Sequence, residues 1–350
     1  MTITPQEALT RCIDHREIFH DEMLALMRMI MRGELSPAIT AALLMGLRVK
    51  KETIGEISAA AQVMREFANH VEVDGGPNFV DIVGTGGDGS HTFNISTASM
   101  FVVAAAGAKV AKHGNRGVSS KSGSADVLEA LGAQINLQAQ QVARCIDEIG
   151  LGFMFAPNHH PAMKNVAAAR KLLQSRTAFN LLGPLCNPAC VKHQLIGVFS
   201  EDYLERIVNI LQRRGAQNVM TVHSQDGLDE LSTTSKNKIC FLREGNIGQM
   251  IIDPQKFRLH PATVKDFQIT TKQEAIKAFV SVLNGTASQA RIEVVALNSA
   301  AGLVVGNVAK DLEEGLQLSL ESIKSGDAFS HFENFVKDCG DYAKLKEITQ

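Results

Sequence analysis

The strongest constraint on the fold is a rhythm that sets in after Asp74-Gly-Gly-Pro77. Short apolar runs alternate with longer amphipathic ones, and glycines punctuate the joins. Strands are predicted at 79–83, 108–111, 135–137, 153–155, 195–199 and 219–223. Helices are predicted at 96–106, 140–149 and 202–213, and from a cap at Ser124 to a stop at Gly132. Repeated β-α-β units demand a mostly parallel sheet with helices on both faces. Two β-rich runs around Glu244-Gly-Asn246 predict a hairpin over 238–252, and the rest of the chain reads as helices.

The segment before the break contains nothing strand-like. Ser36-Pro37 supplies an N-cap followed by proline at the first helical position. Thr53-x-x-Glu56 is a capping box heading a helix that runs to about Ala68. Leu24, Met27 and Ile30 fall at helical spacing, as do Ala41, Leu43, Leu44 and Leu47. The methionines at 23, 27, 29, 31 and 45 suit a core, and also an adaptable interface such as a homodimer contact. Between Pro161 and Pro188 the β-α rhythm lapses into helical segments that are expected to pack back on these first helices. The predicted class is therefore α/β, a small all-helical domain plus a larger α/β domain with a mostly parallel sheet. The small domain takes 1–73 with about 165–190, and the large one 74–164 and 191–350.

Composition removes several functions. Lys plus Arg is 35 and Asp plus Glu is 37, so the formal charge is 35 − 37 = −2. A phosphate-backbone binder needs a basic surplus, and a base-stacking surface needs aromatics, which are 5% here with no Trp. No nucleic-acid partner is expected. The most apolar stretch, 98–108, is too short for a bilayer, which takes about 20 residues. Residues 1–5 lack a basic region followed by an apolar one, so neither a leader nor a membrane partner is expected. Six cysteines scattered through a long chain read as reduced thiols, and with them a cytoplasmic location is expected. Cys186 and Cys190 have no second pair to complete a zinc site, so they read as packing residues.

The richest segment is Asp81-Ile-Val-Gly-Thr-Gly-Gly-Asp-Gly-Ser90. Gly84, Gly86 and Gly89 match G-x-G-x-x-G after a strand, but a dinucleotide site needs an acid about 20 positions on. No Asp or Glu occurs from Gly89 through Ala125; Lys109, Lys112, Arg116 and Lys121 stand there instead. No Gly-Lys-Ser/Thr follows, so this is not a Walker loop either. A tight turn alone would use fewer glycines, and a helix cap alone would need only Ser96 or Thr97. Thr92, Asn94, Ser96 and Thr97 together exceed that need and suit phosphate oxygens at a helix start. The run Lys112-His-Gly-Asn-Arg-Gly-Val-Ser-Ser-Lys-Ser-Gly-Ser124 follows the next strand. Cations, hydroxyls and glycines in two neighbouring loops at one sheet edge point to a polyphosphate ligand. Such a ligand needs a hard divalent cation held by one or two carboxylates. Asp226-Gly-Leu-Asp-Glu230 offers them on a loop at the same edge, although an ordinary acidic turn reads the same from spacing alone.

These residues closely resemble the anthranilate phosphoribosyltransferase family. The resemblance rests on Asp81-Ile-Val-Gly-Thr-Gly-Gly-Asp88, Asn94-Ile-Ser-Thr97, Lys112-His-Gly-Asn-Arg116 and Gly123-Ser-Ala-Asp-Val-Leu-Glu-Ala-Leu-Gly132. It extends through His159-His-Pro-Ala-Met163, Arg176-Thr-Ala-Phe-Asn-Leu-Leu-Gly-Pro184 and Asp226-Gly-Leu-Asp-Glu230, in the family's order along nearly the whole chain. Gly117 and Ser224 depart from the family's usual alanine and glycine without removing a charged group. The resemblance implies transfer of phosphoribose from phosphoribosyl pyrophosphate (PRPP) to the amino group of anthranilate, with Mg2+, by a homodimer. It implies PRPP contacts at Gly84, Gly87, Asp88, Thr92, Asn94, Ile95, Ser96 and Thr97. The second loop adds Lys112, His113, Gly114, Asn115, Arg116, Gly117, Val118, Ser119 and Ser120, with Ser124 beyond it. It implies anthranilate contacts at Gly84, Asn115 and Arg170, and Mg2+ ligands at Ser96, Asp229 and Glu230.

The chemistry fits these residue types. Breaking the bond from C1 to pyrophosphate builds negative charge on the leaving group, which preorganised donors and a cation would stabilise. An aryl amine is already neutral at pH 7, so no strong general base is demanded. His113 is the candidate to accept the amine proton, against the commoner structural use of a loop histidine. Arg170 has the planar fork that binds a carboxylate bidentately. Two rivals share the fold: a pyrimidine nucleoside phosphorylase, which would need no divalent metal, and a non-catalytic nucleic-acid-binding relative.

Overall fold

Local capping chemistry starts the first helices. The computed structural model describes residues 3–117 and 121–349. Thr4 and Glu7 form a reciprocal box at the head of α1 (Pro5–Ile13), and α2 (His20–Arg32) ends on Gly33 in the left-handed region, φ 74°. Ser36 Oγ accepts the Ile39 N–H at the head of α3 (Pro37–Lys50), and the Thr53–Glu56 box heads α4 (Ile54–Glu66). Glu56 does more than cap, because it also accepts the Ile18 N–H at 2.8 Å and pairs with buried Lys50 at 2.6 Å. Removing one partner of such a pair would strand a charge out of water, at a cost of about 3–5 kcal/mol. Met23, Met27 and Met31 are buried, so that methionine face is core.

The chain divides into two units, Met1–His70 with Pro157–Pro188, and Val71–Ala156 with Ala189–Gln350. The helical unit's second segment thus begins at 157, earlier than the expected 165. It carries helices Lys164–Leu173 and Phe179–Leu185. Asn69 donates its N–H to His159 O at 2.8 Å, and Asn165 Nδ2 donates to Met31 O at 2.7 Å, tying the two segments together.

The second unit is built on one seven-stranded sheet. Its strands are β1 (Phe79–Gly84), β2 (Lys109–Gly114), β3 (Leu151–Phe155), β4 (His193–Gly197), β5 (Asn218–Ser224), β6 (Asn237–Arg243) and β7 (Asn246–Ile252). The spatial order is β3-β2-β1-β4-β5-β6-β7, parallel through β5, with β6 and β7 added as an antiparallel hairpin. The chain steps outward from β1 to β2 and β3, then returns to β1's other side with β4. The β1/β4 boundary is therefore a switch point, where α/β sheets bind ligands beyond the strands' carboxyl ends. Helices α5 (Ile95–Ala105), α6 (Ser124–Ala130) and α7 (Ala139–Ile149) connect the first strands. Among the helices that follow the sheet, Gln289–Val305 is buried along most of its length and packs on α5. Phe101 of α5 meets Phe279, Phe332 and Phe335 edge-on, with ring centroids 4.9–5.9 Å apart.

Three expectations need correction. No strand forms at 135–137: Ile135 and Leu137 are buried as a half-buried strand's would be, but the place beside β2 is taken by β3. Ser124 is the first residue of α6, not its cap; Gly123 is the cap, because the Asp126 carboxylate takes its N–H at 2.9 Å. The thiols are not all free, since α7 lies against helix Asp327–Cys339 and Cys145 is joined to Cys339 as a disulfide. Cys12, Cys186, Cys190 and Cys240 take no part in a disulfide. Among the described residues, no helix is long and apolar enough to cross a membrane.

Candidate active site

The glycine loop leaves β1 at the switch point. Gly84 of β1 and Gly197 of β4 are register partners, and Asp229 lies against both. A Cβ on Gly84 would stand 2.7 Å from Asp229 Oδ2, and one on Gly197 only 1.5 Å from the Asp229 carbonyl oxygen. These glycines let the acidic turn approach the strand ends. Beyond them Gly86 and Gly87 have φ of 67° and 79°, a region that glycine alone enters without strain. That turn aims the Gly86 N–H at Asp229 Oδ2, 2.7 Å away. Asp88 closes the loop by accepting the Ser90 N–H at 3.2 Å. At the exit, Thr92 bridges to Gln268 and the Phe93 N–H bonds Phe267 O at 2.9 Å. Asn94 is the N-cap residue of α5, and its Nδ2 donates to Ser122 O at 3.1 Å, linking this loop to the next. Ser96 stands half-buried in the first turn of α5, whereas Ile95 and Thr97 are buried. Ile95 spends its N–H on Phe93 O at 2.8 Å, so of these two only Thr97 can offer a ligand the N–H of a helix start.

The second loop leaves β2. Lys112 is buried, and its Nζ donates to Ile82 O and to Ser96 Oγ, the latter at 3.1 Å. Burial lowers its pKa, against the pull of Asp81, Glu230 and Asp229. His113 is buried on the same strand, and Gly114 leaves room for Ser124 Oγ, which a Cβ there would approach to 2.3 Å. Asn115 O accepts both the Ser124 hydroxyl and the Ala125 N–H at 3.3 Å, while its own Oδ1 takes the Arg116 N–H at 2.8 Å. Asp126 Oδ2 accepts the N–H groups of Gly117 (2.8 Å) and Gly123 (2.9 Å), so one carboxylate holds both ends of the loop. Arg116 forks onto Glu129 at 2.6 and 2.9 Å, with its guanidinium over the Phe155 ring. Its charge is thus spent on α6 and is not presented to the glycine loop. Val118, Ser119 and Ser120 lie outside the described residues.

The acidic turn follows β5. Burial works to raise the pKa of Asp226, but hydrogen bonds from Ser232, Thr234 and Ser224 outweigh it and hold the carboxyl low. Asp226 is therefore the turn's own scaffold. Asp229 is 8% exposed, and burial, then the neighbouring Asp88 charge, pushes its pKa up to about 7. Glu230 is pushed up to about 8 by burial and then by Asp229, with Lys112 and the Ser96 N–H opposing. Buried Asp229 and half-buried Glu230, the second raised by the charge of the first, form with a serine hydroxyl beside them a hard-oxygen donor set in want of positive charge. Among the described residues no group of three or more His, Cys, Asp or Glu side chains could hold a metal by itself. Mg2+ takes one or two carboxylates and completes its shell from phosphate and water.

The α/β unit thus gathers Gly84, Gly87, Asp88, Asn94, Ser96, Lys112, Asp229 and Glu230 about the carboxyl end of β1. It turns the Arg116 side chain away. Arg170 belongs to the helical unit, half-buried on helix Lys164–Leu173. The sequence reading missed Gly197, Asn237 and Asn298, each of which contacts the acidic turn. The one available signal was the lone amide at 298 within an apolar helical run.

Known proteins are similar along most of this chain. The helical bundle domain of a glycosyl transferase family matches residues 6–68, and that family's a/b domain matches 76–329. The anthranilate phosphoribosyltransferase of Burkholderia cenocepacia (strain HI2424) is 58% identical over 337 residues, covering 96% of this chain and 98% of that protein. That of Burkholderia multivorans is also 58% identical, over the same shares. The crystal structure of anthranilate phosphoribosyltransferase from Thermus thermophilus is similar with a TM-score of 0.88 at 38% identity, covering 95% of this chain and 99% of that one. The Saccharomyces cerevisiae enzyme in complex with PRPP and Mg follows at 0.80 and 25% identity, covering 96% and 93%.

Proposed function

We infer the reaction from kinship first: this chain belongs to the anthranilate phosphoribosyltransferase family. It is a pentosyltransferase that moves the 5-phosphoribosyl group of PRPP to the amino group of anthranilate, releasing pyrophosphate. The single observation that carries this reading is the Asp229–Glu230 pair set against the glycine loop and the head of α5. In the reaction the amine nitrogen bonds C1, the bond from C1 to pyrophosphate oxygen breaks, and its electron pair leaves with pyrophosphate. The glycine-loop N–H groups, Thr92, Asn94 and the start of α5 would hold the anionic oxygens before charge develops on them. Asp229, Glu230 and Ser96 would hold Mg2+, which supplies positive charge to the pyrophosphate. Lys112 keeps Ser96 and the end of β1 in register and offsets the carboxylates. Asn115, Gly117 and Ser124 shape the second loop's side of the site. The amine is neutral at pH 7, so positioning supplies much of the rate and His113 need only accept a proton afterwards. A pyrimidine nucleoside phosphorylase or a non-catalytic nucleic-acid-binding relative would leave the carboxylate pair without a purpose.

Purified protein given Mg2+ and PRPP should extinguish anthranilate fluorescence; no loss at any substrate level would overturn the assignment. In the same assay, Arg170→Ala should raise the KM for anthranilate by about tenfold or more while that for PRPP moves less, as expected for loss of a charge-assisted fork. Equal shifts in both would remove Arg170 as the anthranilate carboxylate's partner.

A homodimer through the helical unit belongs to the same reading. Ile13, Phe19 and Val49 are 63–75% exposed there, an apolar area that a second copy would cover. Sedimentation at the mass of one chain would remove it. A cytoplasmic location, expected of a biosynthetic enzyme, also belongs here and is checked by cell fractionation.

A further inference from the structure

The backbone just after the acidic pair is held by side chains. Leu231 donates its N–H to Asn298 Oδ1 at 2.9 Å, and its carbonyl accepts from Asn298 Nδ2 at 2.8 Å. Ser232 is clasped the same way by Asn237, N–H to Oδ1 at 2.7 Å and Nδ2 to its carbonyl at 2.9 Å. A primary amide carries one acceptor and paired donors, so it can satisfy a peptide's N–H and C=O together. Both asparagines are at most 1% exposed. Asn298 sits within helix Gln289–Val305, among apolar neighbours, where an unpaired amide would be costly. Its Nδ2 also reaches Val294 O at 2.8 Å, so its rotamer is locked from its own helix.

We propose that Asn298, backed by Asn237, is a positioning residue for the cation site, clamping the peptide after Glu230 so that the two carboxylates keep their aim. This rests on the reading that Asp229 and Glu230 hold the divalent cation. On the other side, Asp229 is already pinned by the Gly86 N–H and by its approach to Gly197. With Leu231 pinned as well, the pair cannot turn independently of the sheet and of helix Gln289–Val305. Neither asparagine needs to touch the cation or the substrates. Groups that orient metal ligands from behind typically govern about 10–100-fold in metal affinity.

The test measures Mn2+ binding by electron paramagnetic resonance with PRPP present, a readout independent of turnover. Asn298→Ala should weaken Mn2+ binding by about tenfold or more. Ser299→Ala, at an equally buried neighbour whose hydroxyl bonds only Val295 O at 2.8 Å, should leave it unchanged. Unchanged binding in folded Asn298→Ala, or an equal loss in Ser299→Ala, overturns the proposal. Should Asn298→Ala not fold, Asn298→Asp carries the test, because it keeps the acceptor for Leu231 N–H and loses the donor. It should weaken binding by about threefold, the worth of a hydrogen bond, and no weakening overturns the proposal. The Asp229→Asn, Glu230→Gln double variant, measured alongside, separates the two failures. If it binds Mn2+ normally the cation reading falls; if it does not and Asn298→Ala does, only the positioning role falls.

Discussion

Asp229→Asn combined with Glu230→Gln is expected to lower kcat/KM by more than about 10²-fold while leaving the fold at least as stable. The two halves of that expectation come from the same observation. Burial, with the Asp88 charge beside Asp229 and the Asp229 charge beside Glu230, raises the carboxyls to about 7 and about 8, so holding both as anions at neutral pH works against the folded state. Amides of the same size remove that opposition, and the asparagine oxygen can still accept the Gly86 N–H. An acidic turn kept for stability would behave in the opposite way, losing melting temperature and keeping turnover. Steady-state kinetics across a Mg2+ titration, with a thermal melt in metal-free buffer, decides the matter. Normal turnover with an unchanged Mg2+ response would make the pair structural.

The second large effect is expected at a residue with no chemistry of its own. Gly197→Ala would drive a methyl group to 1.5 Å from the Asp229 carbonyl oxygen and 2.5 Å from its carbonyl carbon. Both are backbone atoms, so no rotamer change relieves the clash, and β4 is fixed between β1 and β5. The turn must therefore retreat, breaking the bond from Gly86 to Asp229. A displacement near 1 Å at a reacting group costs about 10²-fold in rate, and overpacking of this kind costs about 1–3 kcal/mol. Gly84→Ala should be milder, since its methyl group would meet the Asp229 carboxylate, at the end of a side chain, at 2.7 Å. Equal activity of Gly197→Ala and the parent protein, with equal melting temperatures, would refute the close approach itself.

The glycine-loop turn, the Thr53–Glu56 capping box and the β6–β7 hairpin were legible because each is local: the residues that determine the backbone lie within a turn of it. The misreadings arise where a distant partner decides. Ile135 and Leu137 alternate with polar residues as a strand should, yet β3, later in the chain, takes the place beside β2. Asp226 and Asp229 look equivalent in the motif. They part only when Ser232 and Thr234 surround the first and Asp88 crowds the second. Periodicity carries no sign of Gly197 or Asn298, since one is defined by an empty volume and the other by a peptide across the fold.

The clasp on Leu231 also bears on when this protein becomes competent. Asn298 lies 67 residues after the peptide it holds, and Asp229 lies 143 residues after the N–H that orients it. Pairings this remote close late and slow the search for the native state. As the chain leaves the ribosome, the glycine loop and the parallel strands can assemble well before helix Gln289–Val305 is available. The half-built sheet would present its glycine-rich loops with the acidic turn still unset. Catalysis is then the last property the polypeptide acquires, and a stalled or clipped chain ending before 298 would lack it whatever else had folded.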